Sequence, residues 1–236
     1  MNSYSDPWAI AYEISVLAIP VIVAITFHEA AHGYVAWRLG DDTAWRLGRV
    51  SFNPFRHIDL FGTILLPAML KFAGGPLFGY AKPVPVNFSR LGSPRRDMVY
   101  VALAGPGANL ALALACGLAF HLVEVMPTTA GTWVAVNLRN AILVNLVLAV
   151  FNMIPLPPLD GGRVAVGLLP DALAFPLARL ERSGIFILIA LLFFLPWALE
   201  AVGINGDPLG FVIWPVVEWL DTLVAWLTFN NWAPQP

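Results

Sequence analysis

The sequence predicts an all-α polytopic membrane protein: a three-helix core, two C-terminal transmembrane helices, and short strands or a re-entrant segment after the first helix. Three observations predict it. Hydrophobic residues make up 58% of the 236 and charged residues only 12%. The mean hydropathy is +0.73, far above that of a water-soluble domain. Apolar runs long enough for helices to cross a hydrocarbon layer of about 30 Å recur along the chain. One integral membrane domain is expected over residues 1–236, with its core at about 8–163 and the C-terminal helices at about 184–228. The net charge of −2 gives no case for nucleic acid as a partner. The single cysteine, Cys116, lies in an apolar run and reads as a small packing residue. No signal peptide is expected, because the first apolar run follows Asp6 rather than a basic region.

Residues 7–37 form the first expected helix, long enough to span, with a kink expected at Pro20. Residues 38–56 are polar, carry Arg38, Arg46, Arg49 and Arg56, and read as a loop with short strands. Residues 58–72 are apolar but too short to cross, and Gly62 and Pro67 interrupt them, which suits a re-entrant or interfacial segment. Residues 74–96 are rich in Gly and Pro. Within them 80–87 reads as extended, since each proline disfavours helix at the residue before it. Spans follow at 98–123 and 133–154, joined by a short turn. A proline-rich stretch at 152–163 leads into a polar segment up to 183 that suits a short interfacial helix. Two further spans are expected at 184–202 and 209–227, and Trp197, Trp214, Trp219, Trp226 and Trp232 suit interfacial anchoring or packing.

Nearly all basic residues fall in 38–56, 73–97 and 158–183, whereas 1–7, 124–132 and 203–208 have none. The positive-inside rule then places the first three in the cytoplasm. Five crossings put the N-terminus outside and the C-terminus inside. Arg139 is the exception: it lies inside the third span, where snorkelling or a polar partner must satisfy it.

The first span carries His28-Glu29-Ala30-Ala31-His32, an H-E-x-x-H pattern. Two histidines four apart leave one helix face a turn apart and can reach one tetrahedral zinc, with Glu29 beside them to take a proton from water. The first and third spans run in the same direction and end at similar depth. Asp160, just past the third, can therefore supply a third ligand and leave a fourth position open. Asp-Gly-Gly is also turn chemistry, so a turn role is the alternative for Asp160. Asn109 and Asn152 are candidates to hydrogen-bond the substrate backbone or an oxyanion, or else to satisfy helix backbone in lipid. Gly105 and Gly107 suit close helix packing, and His57 and His121 are not expected to be ligands. The 82–85 stretch, Lys-Pro-Val-Pro, could offer an edge onto which an unwound substrate adds as a strand, or form only a rigid loop.

Together these motifs resemble the site-2 protease family of intramembrane zinc metalloproteases. The family pattern pairs H-E-x-x-H with a later N-x-x-P-x-x-P-x-D-G-G. Here Asn152, Pro155 and Asp160 are in register, and Gly105-Pro106-Gly107-Ala108-Asn109 matches the intervening G-P-x-x-N. The resemblance implies His28, His32 and Asp160 as ligands of one Zn2+ per chain and Glu29 as the general base. It implies cleavage within a transmembrane protein substrate in the lipid bilayer. The chain resembles the minimal branch, without an inserted PDZ or CBS domain, and has no helix before the H-E-x-x-H helix as some relatives do. Its 52–87 segment is longer than in some relatives. A multi-pass place in a bacterial cell (inner) membrane is expected, and a homo-oligomer is left open. Two other functions remain at this stage. A divalent-metal transporter would need exchanging ligands and a through-path but no base at Glu29, and a non-catalytic membrane scaffold would need no metal.

Overall fold

A computed structural model describes residues 6–65, 69, 82–203, 207–230 and 232. The first helix, α1 (Pro7–Arg38), is opened by Asp6, whose carboxylate accepts the Trp8 N–H at 3.0 Å. Pro7 sits in the first turn, where a missing donor costs nothing. Pro20 lies inside α1 without ending it. The short α2 (Thr43–Arg46) follows. The next long helix, α3 (Pro94–Ala119), again begins with proline, and the Asp97 carboxylate reaches back to accept the Ser93 N–H at 2.7 Å. A 3-10 extension, Phe120–Val125, turns the chain into α4 (Thr128–Asn152). Helices α1, α3 and α4 pack on one another as the core.

Beyond α4 the chain forms α5 (Asp160–Leu168) and α6 (Asp171–Arg179). Arg95, in the first turn of α3, fastens both: it donates to Asp171 Oδ1 at 2.6 Å, to the Gly167 carbonyl at 3.1 Å and to the Leu169 carbonyl. Then come α7 (Gly184–Ile189), a π-helical turn Ala190–Phe194, α8 (Leu195–Ala201) and α9 (Pro208–Leu227). Among the described residues, five helical stretches are long and apolar enough to cross a membrane: Pro7–Arg38, Pro94–Val125, Thr128–Asn152, Gly184–Ala201 and Pro208–Leu227. The protein is therefore an all-α, multi-pass membrane protein.

Two expectations are corrected. The strands expected in 38–56 are absent among the described residues. Asp41 accepts the Thr43 N–H at 3.1 Å and its hydroxyl, and Asn53 accepts the Phe55 N–H at 3.1 Å. These local caps favour α2 and the 3-10 turn Pro54–Arg56 over strand. Of the expected re-entrant segment at 58–72, Leu60–Leu65 is π-helical, and most of the remainder lies outside the described residues, as do 80 and 81.

The second correction concerns the termini. The Thr228 carbonyl, just past α9, accepts from His121 Nε2 at 2.7 Å, and the Asn230 amide donates to the Gly117 carbonyl at 2.8 Å. The end of α9 thus rests on the end of α3 remote from the histidines. α4 begins beside that end, and its Trp133 and Asn140 donate to the Ser15 hydroxyl at 3.0 Å and the Val16 carbonyl at 2.8 Å, so the N-terminal half of α1 lies on the same side. The C-terminal end of α9 therefore lies on the N-terminal side, so the chain crosses an even number of times and not all five apolar stretches span fully. The physical reason is a charge pair. The Arg139 guanidinium on α4 clamps both carboxylate oxygens of Asp221 on α9, at 2.8 Å for the Nη2–Oδ2 contact, and together with the Thr228 and Asn230 contacts holds the end of α9 beside the start of α4. This also accounts for Arg139, whose guanidinium further stacks 5.8 Å from the Trp232 ring.

Asp221→Asn leaves the half-buried Arg139 without its counter-charge and is expected to destabilise the protein by roughly 1–3 kcal/mol, whereas Arg139→Leu with Asp221→Leu costs less. Unfolding curves in one detergent–lipid mixture check this ordering.

Candidate metal centre

His28 and His32 lie in the last third of α1 and are buried. Their Nε2 atoms are 3.0 Å apart. Asp160, the first residue of α5, brings Oδ2 to 3.2 Å from His28 Nε2 and 3.3 Å from His32 Nε2. What delivers it is the Gly161–Gly162 pair. A Cβ on Gly161 would collide with the Met153 carbonyl, and one on Gly162 with the backbone at Pro157. Without side chains there, α5 folds tightly against the turn that ends α4, and its first carboxylate faces α1.

Hydrogen bonds on the far side of each ring fix what it presents to the centre. The Val101 carbonyl can only accept, so His32 Nδ1, 2.6 Å away, carries the proton. Asn109 uses its NH2 on Asn145 Oδ1 at 2.7 Å and on the Ala24 carbonyl at 3.3 Å. Its oxygen therefore faces His28 Nδ1, at 2.6 Å, as an acceptor. In the neutral rings both Nε2 atoms then carry lone pairs, directed at each other and at an anionic oxygen. Asp160 Oδ2 is itself buried without a hydrogen-bond donor. Three converging lone-pair donors with no proton between them fit a divalent cation, and two nitrogens with one carboxylate oxygen suit zinc with a position left open.

Glu29, next to His28, is half-buried and lines the same cavity of about 600 Å³, together with Val84, Phe151 and Asn152. Its Oε2 accepts the Val84 N–H at 2.7 Å. Stretch 82–87 is non-helical and is tied down at several points. Arg49 donates to the Lys82 carbonyl at 2.6 Å, and Asp41 Oδ2 accepts the Asn87 N–H at 2.6 Å.

These features predict relatives among metalloproteases, and the comparisons find them. Over 210 residues, 86% of this chain and 85% of the relative, the sequence is 39% identical to "Putative zinc metalloprotease YwhC" of Bacillus subtilis (strain 168). The chain belongs to the site-2 protease family. Two further members are more distant. "Putative zinc metalloprotease Rip2" of Mycolicibacterium smegmatis is 30% identical over 72% of this chain and 64% of its own length. Its namesake in Mycobacterium tuberculosis is 33% identical over 59% of this chain and 52% of its own length. No family model and no solved structure matches. As a site-2 protease the chain is a zinc metalloprotease of the membrane, with zinc as its cofactor.

The structure sorts the remaining sequence candidates of this site-2 protease. Asn109 is fully buried, and its polar groups are engaged within the core, where it backs His28. Asn152 does line the cavity, its NH2 bonded back to the Leu148 carbonyl at 2.9 Å. His57 is buried and donates from Nε2 to the Ser51 carbonyl at 2.8 Å, and His121 is spent on Thr228; neither joins the cluster. Gly105 does more than permit packing. A Cβ there would run into His32 Nε2 and come within 2.6 Å of His28. The residues missed from sequence are Val101 and Val84, which act through backbone atoms and leave no signal in residue type, and Asn145.

Gly105→Ala is expected to push the two imidazoles apart and weaken zinc binding by at least about tenfold while the helices persist. Chelator competition alongside far-UV circular dichroism checks it.

Proposed function

We propose that this protein is an intramembrane endopeptidase that hydrolyses a peptide bond in or near a transmembrane segment of a membrane-protein substrate. One observation carries the proposal. Three lone-pair donors and a glutamate converge in one cavity walled by membrane-spanning helices. His28, His32 and Asp160 hold the metal. Zinc, when bound, supplies a Lewis acid for the scissile carbonyl and activates water at neutral pH. Glu29 takes the proton from the attacking water and passes it to the leaving amine.

The Val84 N–H supports the base assignment. It engages Oε2 and so fixes the carboxylate plane, leaving Oε1 for the water. Asn152, at the cavity wall, is placed to donate to the substrate carbonyl as charge develops there. A substrate helix must unwind before a glutamate and a metal can reach its backbone. Stretch 82–87 is suited to receive it: Val86 N–H has no partner among the described residues, and Pro83 and Pro85 bring no donors of their own. The expected home is a bacterial cell membrane.

Zinc content and cleavage of a model transmembrane substrate test the reading, measured side by side. Glu29→Gln is expected to keep zinc and to lose about 10²–10⁴-fold in cleavage rate. Asp160→Ala is expected to lose both. Normal cleavage by Glu29→Gln removes the base assignment, and undiminished zinc in Asp160→Ala removes the third ligand. A proline at Val86 that leaves cleavage unchanged removes the strand-addition element alone.

A further inference from the structure

We propose that Asn145, on α4, is a positioning residue for the metal centre, acting through Asn109 to set which ring nitrogen of His28 faces the site. The proposal rests on the reading of His28 as a ligand. Asn145 and Asn109 are 1% and 0% exposed, so neither touches substrate. What they form is a one-way chain of hydrogen bonds with a fixed end. The Ala141 carbonyl has no hydrogen to give, so at 2.8 Å it accepts from Asn145 Nδ2. Asn145 must then turn Oδ1 to its other neighbour, Asn109 Nδ2, at 2.7 Å. Asn109 in turn presents Oδ1 to His28 Nδ1 at 2.6 Å. An acceptor at that point requires the His28 proton on Nδ1 and leaves the lone pair on Nε2, the atom that faces His32 and Asp160.

Each link has one permitted direction, and the direction is imposed from Ala141 outward. Cutting the chain at Asn145 frees Asn109. Its NH2 keeps only the longer contact to the Ala24 carbonyl, at 3.3 Å, and the amide can turn over to point NH2 at His28. That reversed amide selects the other tautomer and places a proton on Nε2, where the metal must sit. An outer partner of this kind tunes a ligand without contacting the metal. A buried asparagine pair serving only as adhesive between α3 and α4 would affect stability and leave the ligand's tautomer alone.

Zinc affinity of the purified full chain, by chelator competition, tests the proposal, with the visible spectrum of the cobalt-substituted protein as a second reading. Asn145→Leu, which suits a membrane helix, is expected to weaken zinc about 10–100-fold and to alter the cobalt spectrum. Asn109→Leu with Asn145→Leu is expected to bind no more weakly than Asn109→Leu alone, because the chain is already cut. Unchanged affinity in Asn145→Leu overturns the proposal, as does a double variant whose loss equals the product of the two single losses. His28→Ala separates the two levels: full zinc affinity in that variant defeats the ligand reading itself. Should Asn145→Leu fail to fold, the ¹⁵N spectrum of metal-free wild type decides. His28 protonated on Nδ1 is expected, and protonation on Nε2 overturns the proposal.

Discussion

Two imidazole lone pairs and a carboxylate oxygen, gathered within 3.0 to 3.3 Å of one another, repel in a buried setting where water cannot soften the charge. The structure is arranged around holding them there. Each ring is gripped from behind, one by an amide on α3 and the other by a carbonyl of the same helix. Gly105 lets α3 come close enough to do this. The Gly161–Gly162 pair bends the chain so that Asp160 arrives from a third direction. The repulsion becomes attraction when a divalent cation occupies the centre, so the geometry that is costly without metal is the geometry that binds it.

Helix packing and chemistry use the same atoms here. Asn109 touches α1 through Ala24 and His28 and touches α4 through Asn145. In an apolar medium each of those groups would otherwise be unsatisfied, so the three core helices share one register. A shift of α3 along α1 by one turn, about 5.4 Å, would break the His28 and His32 contacts together. Glu29 is secured by a different device, a backbone N–H from outside the core bundle, so its position follows stretch 82–87 rather than the helices. Arg49 and Asp41 fasten that stretch from below.

Much of this was legible in the sequence because it depends on spacing along one element. His28, Glu29 and His32 share a helix, and the apolar runs announce their own lengths. Asp160 was reachable because span direction fixes depth. What was not legible depends on pairs of elements. Nothing in the composition of α4 shows that Arg139 has Asp221 as its partner, and that pair joins the Thr228 and Asn230 contacts in keeping the end of α9 on the N-terminal side. The strands expected after α1 gave way to caps from Asp41 and Asn53, short-range hydrogen bonds that outcompete a strand with no neighbour to pair with. For Asn109 two roles stayed open, a substrate contact or the satisfying of helix groups, because residue type alone does not say which way a polar side chain in a membrane helix points.

The Arg139–Asp221 pair also has a history in time. The two residues are 82 positions apart, so at about 5–20 residues per second Arg139 leaves the ribosome roughly 4–16 s before its partner does. Throughout that interval a cation sits in a nascent membrane helix with no counter-charge. It must linger at the headgroups or draw water inward, keeping α4 loosely seated against α1 and α3. α9 therefore does more than add bulk. Its arrival neutralises a charge already waiting in lipid, and the bundle settles only once that helix has joined it.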